Sequence, residues 1–140
     1  MQCFEKNTLL RFRKEFGWEG RLMMIFGAAK PGADGSNYDE LAKPSGLRGL
    51  AGFVDGVFPN VDRVIIWESS GKPKATDFAN NARDSGLWIC SGVIRQDSLP
   101  AGCPTVDALH AALFDTAGVN AVCSDFPDLT VRWVREHQGR

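Results

Sequence analysis

The 140-residue chain has no long hydrophobic run. Its most continuous apolar stretch is Leu22-Met23-Met24-Ile25-Phe26. That falls far short of the roughly 20 residues that span a bilayer and is too short for a secretory core, so neither a membrane span nor an export signal is read here. Charge of one sign is not in excess. Lys and Arg number 16 against 17 Asp and Glu, for a formal net charge of -1, and no block of like charge occurs. Nothing in that balance calls for nucleic acid or an anionic membrane surface as a partner. The four cysteines, Cys3, Cys90, Cys103 and Cys123, form no CxxC pair and no Cys/His group with zinc spacing. Three of them sit on or beside apolar strand-like runs, where a free cysteine reads as a small hydrophobe of the core. Also missing are a Gly-rich phosphate loop, a GxSxG elbow, an HExxH pair and acids at calcium-loop spacing. The length itself excludes a closed eightfold β/α barrel, which needs about 250 residues.

What is present is an alternation of short apolar runs with amphipathic segments. Gln2 to Phe4 reads as a strand end. Asn7 is placed to cap a helix whose apolar face carries Leu9, Phe12 and Phe16, with Gly17 at its end. Residues 22–26 read as a strand buried on both faces, and residues 28–44 as a long loop of the kind that often carries function. Ser45 is placed to cap a helix bearing Leu47, Leu50, Ala51 and Val54, and Gly56-Val57-Phe58-Pro59 as a brief strand. Residues 61–67 suit either helix or strand. Thr76 opens a further helix that Gly86 ends, residues 87–94 form a strand, and Thr105 caps a helix that Gly118 ends. Residues 119–124 make the last strand, after which Pro127 suits the first turn of a final helix. Strand–helix alternation with apolar strands predicts a parallel sheet covered by helices in a single domain.

In such folds the working residues stand at the C-terminal ends of the strands. That rim receives Gln2 and Phe4, then Asn37, Tyr38 and Lys43 from the long loop, Asn60, Ser91, Arg95 and Asp97, and finally Ser124 and Asp125. Arg95 can hold a phosphate through paired N–H donors or pair with a neighbouring acid such as Asp97, the commoner fate of an exposed arginine. Asp125 is read first as a carboxylate capping the last helix. His110 falls on the apolar side of its helix and His137 in a last helical turn, so neither is read as an acid–base group. No catalytic residue and no metal ligand is assigned.

Several segments resemble glycerophosphodiester phosphodiesterases, in particular the larger periplasmic-type bacterial enzymes. Gly118 to Asp128, ending Ser124-Asp125-Phe126-Pro127-Asp128, is similar to the family's last barrel strand, and Met1-Gln2-Cys3-Phe4 to the end of a mid-barrel strand. Between them, Asn37-Tyr38-Asp39, Lys43-Pro44, Val54-Asp55-Gly56-Val57 and Ile94-Arg95-Gln96-Asp97-Ser98-Leu99-Pro100 resemble further family segments in the family's order. The resemblance implies the C-terminal half of a TIM (β/α)8 barrel, with residues 1–140 as a partial domain that opens inside the fold. The complete enzyme would hydrolyse glycerophosphodiesters to an alcohol and glycerol 3-phosphate, using Ca²⁺ or Mg²⁺ held by carboxylates and a pair of acid–base histidines. Those groups belong to HRG, ExD and HD motifs that have no match here, so the chain alone is expected to bind no metal and to be inactive. By resemblance Gln2 and Phe4 line the substrate pocket, Tyr38 overhangs it, Arg95 lies by the phosphate or the rim, and Asp125 organises the last strand end. The chain departs from the family at Cys90-Ser91-Gly92-Val93, where an aromatic and a threonine usually precede the arginine. A periplasmic or extracellular location is implied only if the full protein carries a signal peptide. The alternative is a non-catalytic half-barrel that binds a partner or a second copy through its exposed edges. An independent flavodoxin-like domain ranks below both, since no phosphate loop follows the first strand.

Overall fold

The computed structural model describes residues 1–27 and 31–137. The sequence-predicted loop therefore lies partly outside the described residues, at 28–30. Five strands, β1 (Gln2–Cys3), β2 (Met23–Phe26), β3 (Gly56–Pro59), β6 (Trp88–Ile94) and β7 (Ala121–Ser124), form one parallel sheet in the order β1-β2-β3-β6-β7. The register runs Cys3–Met24–Val57–Ile89 across the first four strands and Ser91–Val122 onto the last. The other two strands, β4 (Ile65–Trp67) and β5 (Pro73–Ala75), make a separate antiparallel hairpin. Each sheet strand lies beside the next one in sequence, apart from that hairpin. Such an order is the arc of a (β/α)8 barrel, five strands long.

The helices are α1 (Lys6–Lys14), α2 (Tyr38–Leu41), α3 (Pro44–Ala51), α4 (Asp77–Asp84), α5 (Val106–Ala111) and α6 (Pro127–His137). Leu9, Leu47, Leu50, Phe78, Ala79, Ala82, Leu109 and Leu113 from the helical segments form one core with Met24, Phe26, Val57 and Ile89 of the sheet. No described helix is long and apolar enough to cross a membrane.

The expectation that residues 22–26 are buried on both faces is corrected. Leu22, Met24 and Phe26 are fully buried, whereas Met23 and Ile25 are half-buried. The physical reason is one-sided cover: the alternate positions of every sheet strand face away from the helices. Along that second face run Gln2, Met23, Ile25, Phe58, Trp88, Cys90 and Cys123, each at least partly open to solvent.

Local capping also differs from expectation. Asn7 does not cap α1; it lies within the first turn, and its backbone N–H donates to Asp34 Oδ2 at 2.8 Å while Lys6 N–H donates to Ser36 Oγ at 3.3 Å. Orphan N–H groups of a helix donate to any well-placed oxygen, and here a distant loop supplies the acceptors. Phe16, expected on the apolar face, is 66% exposed. Lys43, not Ser45, precedes α3, because Pro44 takes the first helical position that suits its missing N–H. Residues 61–67 resolve into a 3-10 turn, Val61–Arg63, followed by β4. Thr76 does precede α4, but its hydroxyl donates to the Arg63 carbonyl instead of receiving a helix N–H. Thr105 caps α5 as expected, accepting from Ala108 N–H at 3.1 Å, and Gly86 and Gly118 end their segments with φ of 77° and 66°.

Candidate functional site

The C-terminal ends of the five strands collect the candidate residues into two groups. The first lies at the β1–β2 end. Phe4 sits just after the edge strand, exposed, whereas Gln2, level with Met23, Gly56 and Trp88, stands at the strand's N-terminal end on the uncovered face and not at the rim expected from the sequence. Tyr38 lies close by, but it does not overhang a pocket. It is 5% exposed, its ring packs 6.1 Å from that of Phe26, and its hydroxyl donates to the Phe4 carbonyl at 3.2 Å. Gly27 lets it sit there, since a Cβ at that position would stand 2.8 Å from the ring. Burial pushes the phenol's pKa up, and the nearby Glu5 and Asp34 charges push it the same way, so the hydroxyl stays protonated. Tyr38 is thus a plug behind the rim, tied to Phe4. Beneath it, burial raises the Asp34 carboxyl, but hydrogen bonds from Ser36 and Asn7 outweigh that and hold it below the usual range.

The second group lies at the β6–β7 end. Arg95 donates through Nε and Nη2 to the two oxygens of Asp97 at 3.1 and 2.8 Å, and through Nη1 to Asp125 Oδ2 at 3.2 Å. Asp97, held below the ordinary carboxylate range first by its hydrogen bond from Arg95, is a firm acceptor. The expected capping role of Asp125 is corrected: its carboxylate meets Arg95, and the Phe126 N–H at the start of α6 donates to Ser124 Oγ at 3.0 Å. The shorter Ser124 side chain reaches back to the backbone two residues on, leaving Asp125 free to turn toward the cation. One guanidinium therefore bridges β6 and β7 with two carboxylates around it. The local sum is one excess negative charge, which braces the rim but does not by itself attract an anion.

Between the groups, a cavity of about 440 Å³ opens at the rim, lined by Asn60, Asp62, Gly92, Val93, Arg95 and Ser98 among others. Gly92 sits where no side chain fits, since a Cβ would meet the Cys123 carbonyl at 2.7 Å. The family's aromatic thus has no room at that position while β6 and β7 keep this spacing. Asp62 and Ser98 were not read from the sequence; only the Ser-Leu-Pro turn after Asp97 hinted at the latter. A second cavity, about 290 Å³, lies at the opposite end of the strands beside Arg21, Asp55 and Trp88. Its location at the N-terminal ends marks it as a place for packing, because function in parallel β/α sheets gathers at the other end.

Fully buried His110 and the Trp133-stacked His137 lie in the α5–α6 layer, away from the rim residues as expected. Cys3, Cys90 and Cys103 are half-buried, but Cys123 is exposed, so the core-filler reading does not extend to it. Its side chain alternates onto the face that none of the described helices covers. Among the described residues no group of three or more His, Cys, Asp or Glu side chains converges as a metal site.

A five-strand β/α arc with its polar residues gathered at one rim defines a protein of the (β/α)8-barrel class. No family model matches the sequence. A glycerophosphodiester phosphodiesterase of Treponema pallidum (strain Nichols) is 30% identical over 100 residues, covering 70% of this chain and 28% of that protein. A glycerophosphodiester phosphodiesterase of Haemophilus influenzae is 28% identical over 102 residues, covering 71% of this chain and 28% of that protein. The chain belongs to the glycerophosphodiester phosphodiesterase family. Its match spans under a third of the length of these relatives.

Proposed function

We propose that this chain supplies one side of a glycerophosphodiester phosphodiesterase site and needs further β/α units to complete it. In that reading Phe4 lines the substrate side of the rim with Gln2 deeper on the same face, and Arg95 with Asp125 fixes the spacing of the two last strands beside the bound phosphodiester. The acid–base histidines and the carboxylates for Ca²⁺ or Mg²⁺ would come from the units that this arc lacks. The observation that carries the reading is the convergence of family-like segments far apart in sequence, Arg95 and Asp125 being 30 residues apart yet joined at 3.2 Å on one rim. Hydrolysis of a glycerophosphodiester to an alcohol and glycerol 3-phosphate is then an activity of the completed barrel, and the pure chain has none.

The test is a segment exchange. This chain replaces the matching region of the Treponema pallidum relative, and release of glycerol 3-phosphate from glycerophosphocholine is followed with Ca²⁺ or Mg²⁺. Turnover by the exchange protein, with none by the pure chain, is the expected result. A folded exchange protein without turnover, or metal-dependent turnover by the chain alone, overturns the reading.

The half-buried Met23, Ile25 and Phe58 and the exposed Trp88, all on one face, favour a second reading, a non-catalytic half-barrel that associates with a partner or with itself. Parallel sheets are nearly always covered on both faces. Sedimentation velocity distinguishes this: concentration-dependent association supports it, and a monomer at all concentrations removes the self-associating form.

A further inference from the structure

The C-terminal helix is held by a cluster that contains a buried, titratable ring. His110 on α5 is 0% exposed, and its Nε2 lies 2.9 Å from the hydroxyl of Thr130 on α6. Its Nδ1 is buried without a hydrogen bond of normal geometry. The imidazole stacks on the Trp133 indole at 5.6 Å, and Trp133, 1% exposed, also stacks on Phe114 at 5.3 Å and on His137 at 4.3 Å. Immediately after α5 the backbone widens into a π-helical turn, Ala112–Thr116, which carries Phe114. One indole thus gathers rings from both sides of the α5–α6 contact.

We propose that α6 is an acid-releasable clasp triggered by His110, and that its release also loosens the Arg95–Asp125 brace at the rim. With both nitrogens protonated the ring would carry an Nδ1–H with no acceptor in bonding geometry and a charge in a fully buried place. The charged groups around the ring do not compensate. Asp107, on the same helix, favours the charged ring, but it is engaged at 2.8 Å by Arg132 of α6, which opposes it. The Val106 carbonyl one turn earlier is the larger of the two favourable influences but lies outside normal hydrogen-bond geometry to Nδ1, and His137 stands across Trp133 from the ring. Burial, the largest influence, holds the His110 pKa below its ordinary value. The link to the rim is direct chain continuity. Asp125 lies two residues before α6, and its N–H donates to the Ile94 carbonyl at 3.1 Å.

The sign follows from proton binding. A histidine that is harder to protonate in the folded state contributes stability that is complete above the ordinary imidazole value of about 6.5 and lost as pH falls below it. Amide exchange of α6, corrected for the intrinsic rate, tests this on the intact chain. Between pH 7 and pH 5, α6 and the Asp125 amide should lose protection relative to α3, by at most about tenfold per pH unit for one proton. His110→Phe keeps a ring on Trp133 and removes the titration, so its α6 protection should be independent of pH over that range. His137→Gln should leave the acid loss in place. An NMR titration of the wild-type His110 ring keeps the test open if His110→Phe does not fold, because its midpoint must lie below the ordinary value of about 6.5, at the low-pH end of the loss of protection. Constant wild-type protection, an unchanged loss in His110→Phe, or a ring midpoint at or above the ordinary value overturns the proposal.

Discussion

The two faces of the sheet are made from the same strands and differ in what covers them. On the helix side Met24, Phe26, Val57 and Ile89 are fully buried. On the other side their strand neighbours Met23, Ile25, Phe58 and Trp88 are equally apolar, yet Trp88 remains 39% exposed and the rest are half-buried. Residue type alone does not distinguish the faces; cover does. The composition of the open face is that of a surface made to be packed against, since a barrel lumen is filled by layers of such side chains.

Paired truncations on one strand give the sharpest break in the comparison. Phe26→Ala removes a fully buried ring and should cost about 3–5 kcal/mol, whereas Ile25→Ala, half open already, should cost under about 1.5 kcal/mol by the smaller area it removes from water. Urea unfolding of the two variants measures both. Equal costs would mean that the open face is covered in solution, the expectation of self-association. Next in size, Gly56→Ala places a Cβ 2.6 Å from the Trp88 carbonyl and must push β3 from β6. A destabilisation of about 1–3 kcal/mol is expected, and a neutral outcome would show that the arc can open between these strands without loss.

The covered face was legible in the sequence because periodicity records it. Leu9, Leu47, Leu50, Leu109 and Leu113 repeat at helical spacing, and the short strands end at Pro59 or before Gly27, so the order of elements and most bounds follow. The open face was not legible, since Met23 and Ile25 look like any other residues of an apolar run, and a run buried on two sides reads the same as one buried on one. At the rim, strand-end position named Arg95 and Asp125 but not their pairing, which depends on β6 and β7 lying side by side after a 30-residue excursion. Capping failed where the partner was remote. Asp34 and Ser36 serve α1 from about 30 residues away, and local pattern cannot report that. Tyr38 was misplaced for a related reason: its segment resembles a family loop, but the space made by Gly27 drew the ring inward.

A smaller effect concerns the brace. Asp125→Asn weakens one side of the Arg95 contact while the paired donors to Asp97 remain. These side chains are half exposed, so thermal stability should hardly move. What should change is the mobility of the rim, read as faster exchange of the Asp125 and Phe126 positions by NMR. An unaltered rim would assign β6–β7 spacing to the backbone pairing alone.

The smallest perturbation is chemical labelling of the two thiols that flank this junction. Cys90 and Cys123 stand on adjacent strands, and both belong to the face without helices. Burial, with a lesser contribution from Cys123, pushes the Cys90 thiol up to about 11. At pH 8 its thiolate is therefore scarce, about one part in a thousand by the three-unit gap, whereas Cys123 is exposed to reagent. A maleimide or disulfide reagent should modify Cys123 first and Cys90 slowly, with the Cys90 rate rising about tenfold per pH unit up to pH 10. Mass spectrometry of peptides from a timed reaction resolves the two. Early modification of Cys90 would mean that β6 and β7 part readily. If Cys123 is instead protected at high protein concentration and released on dilution, the open face is covered by another copy, and the contrast between the two faces belongs to the monomer alone.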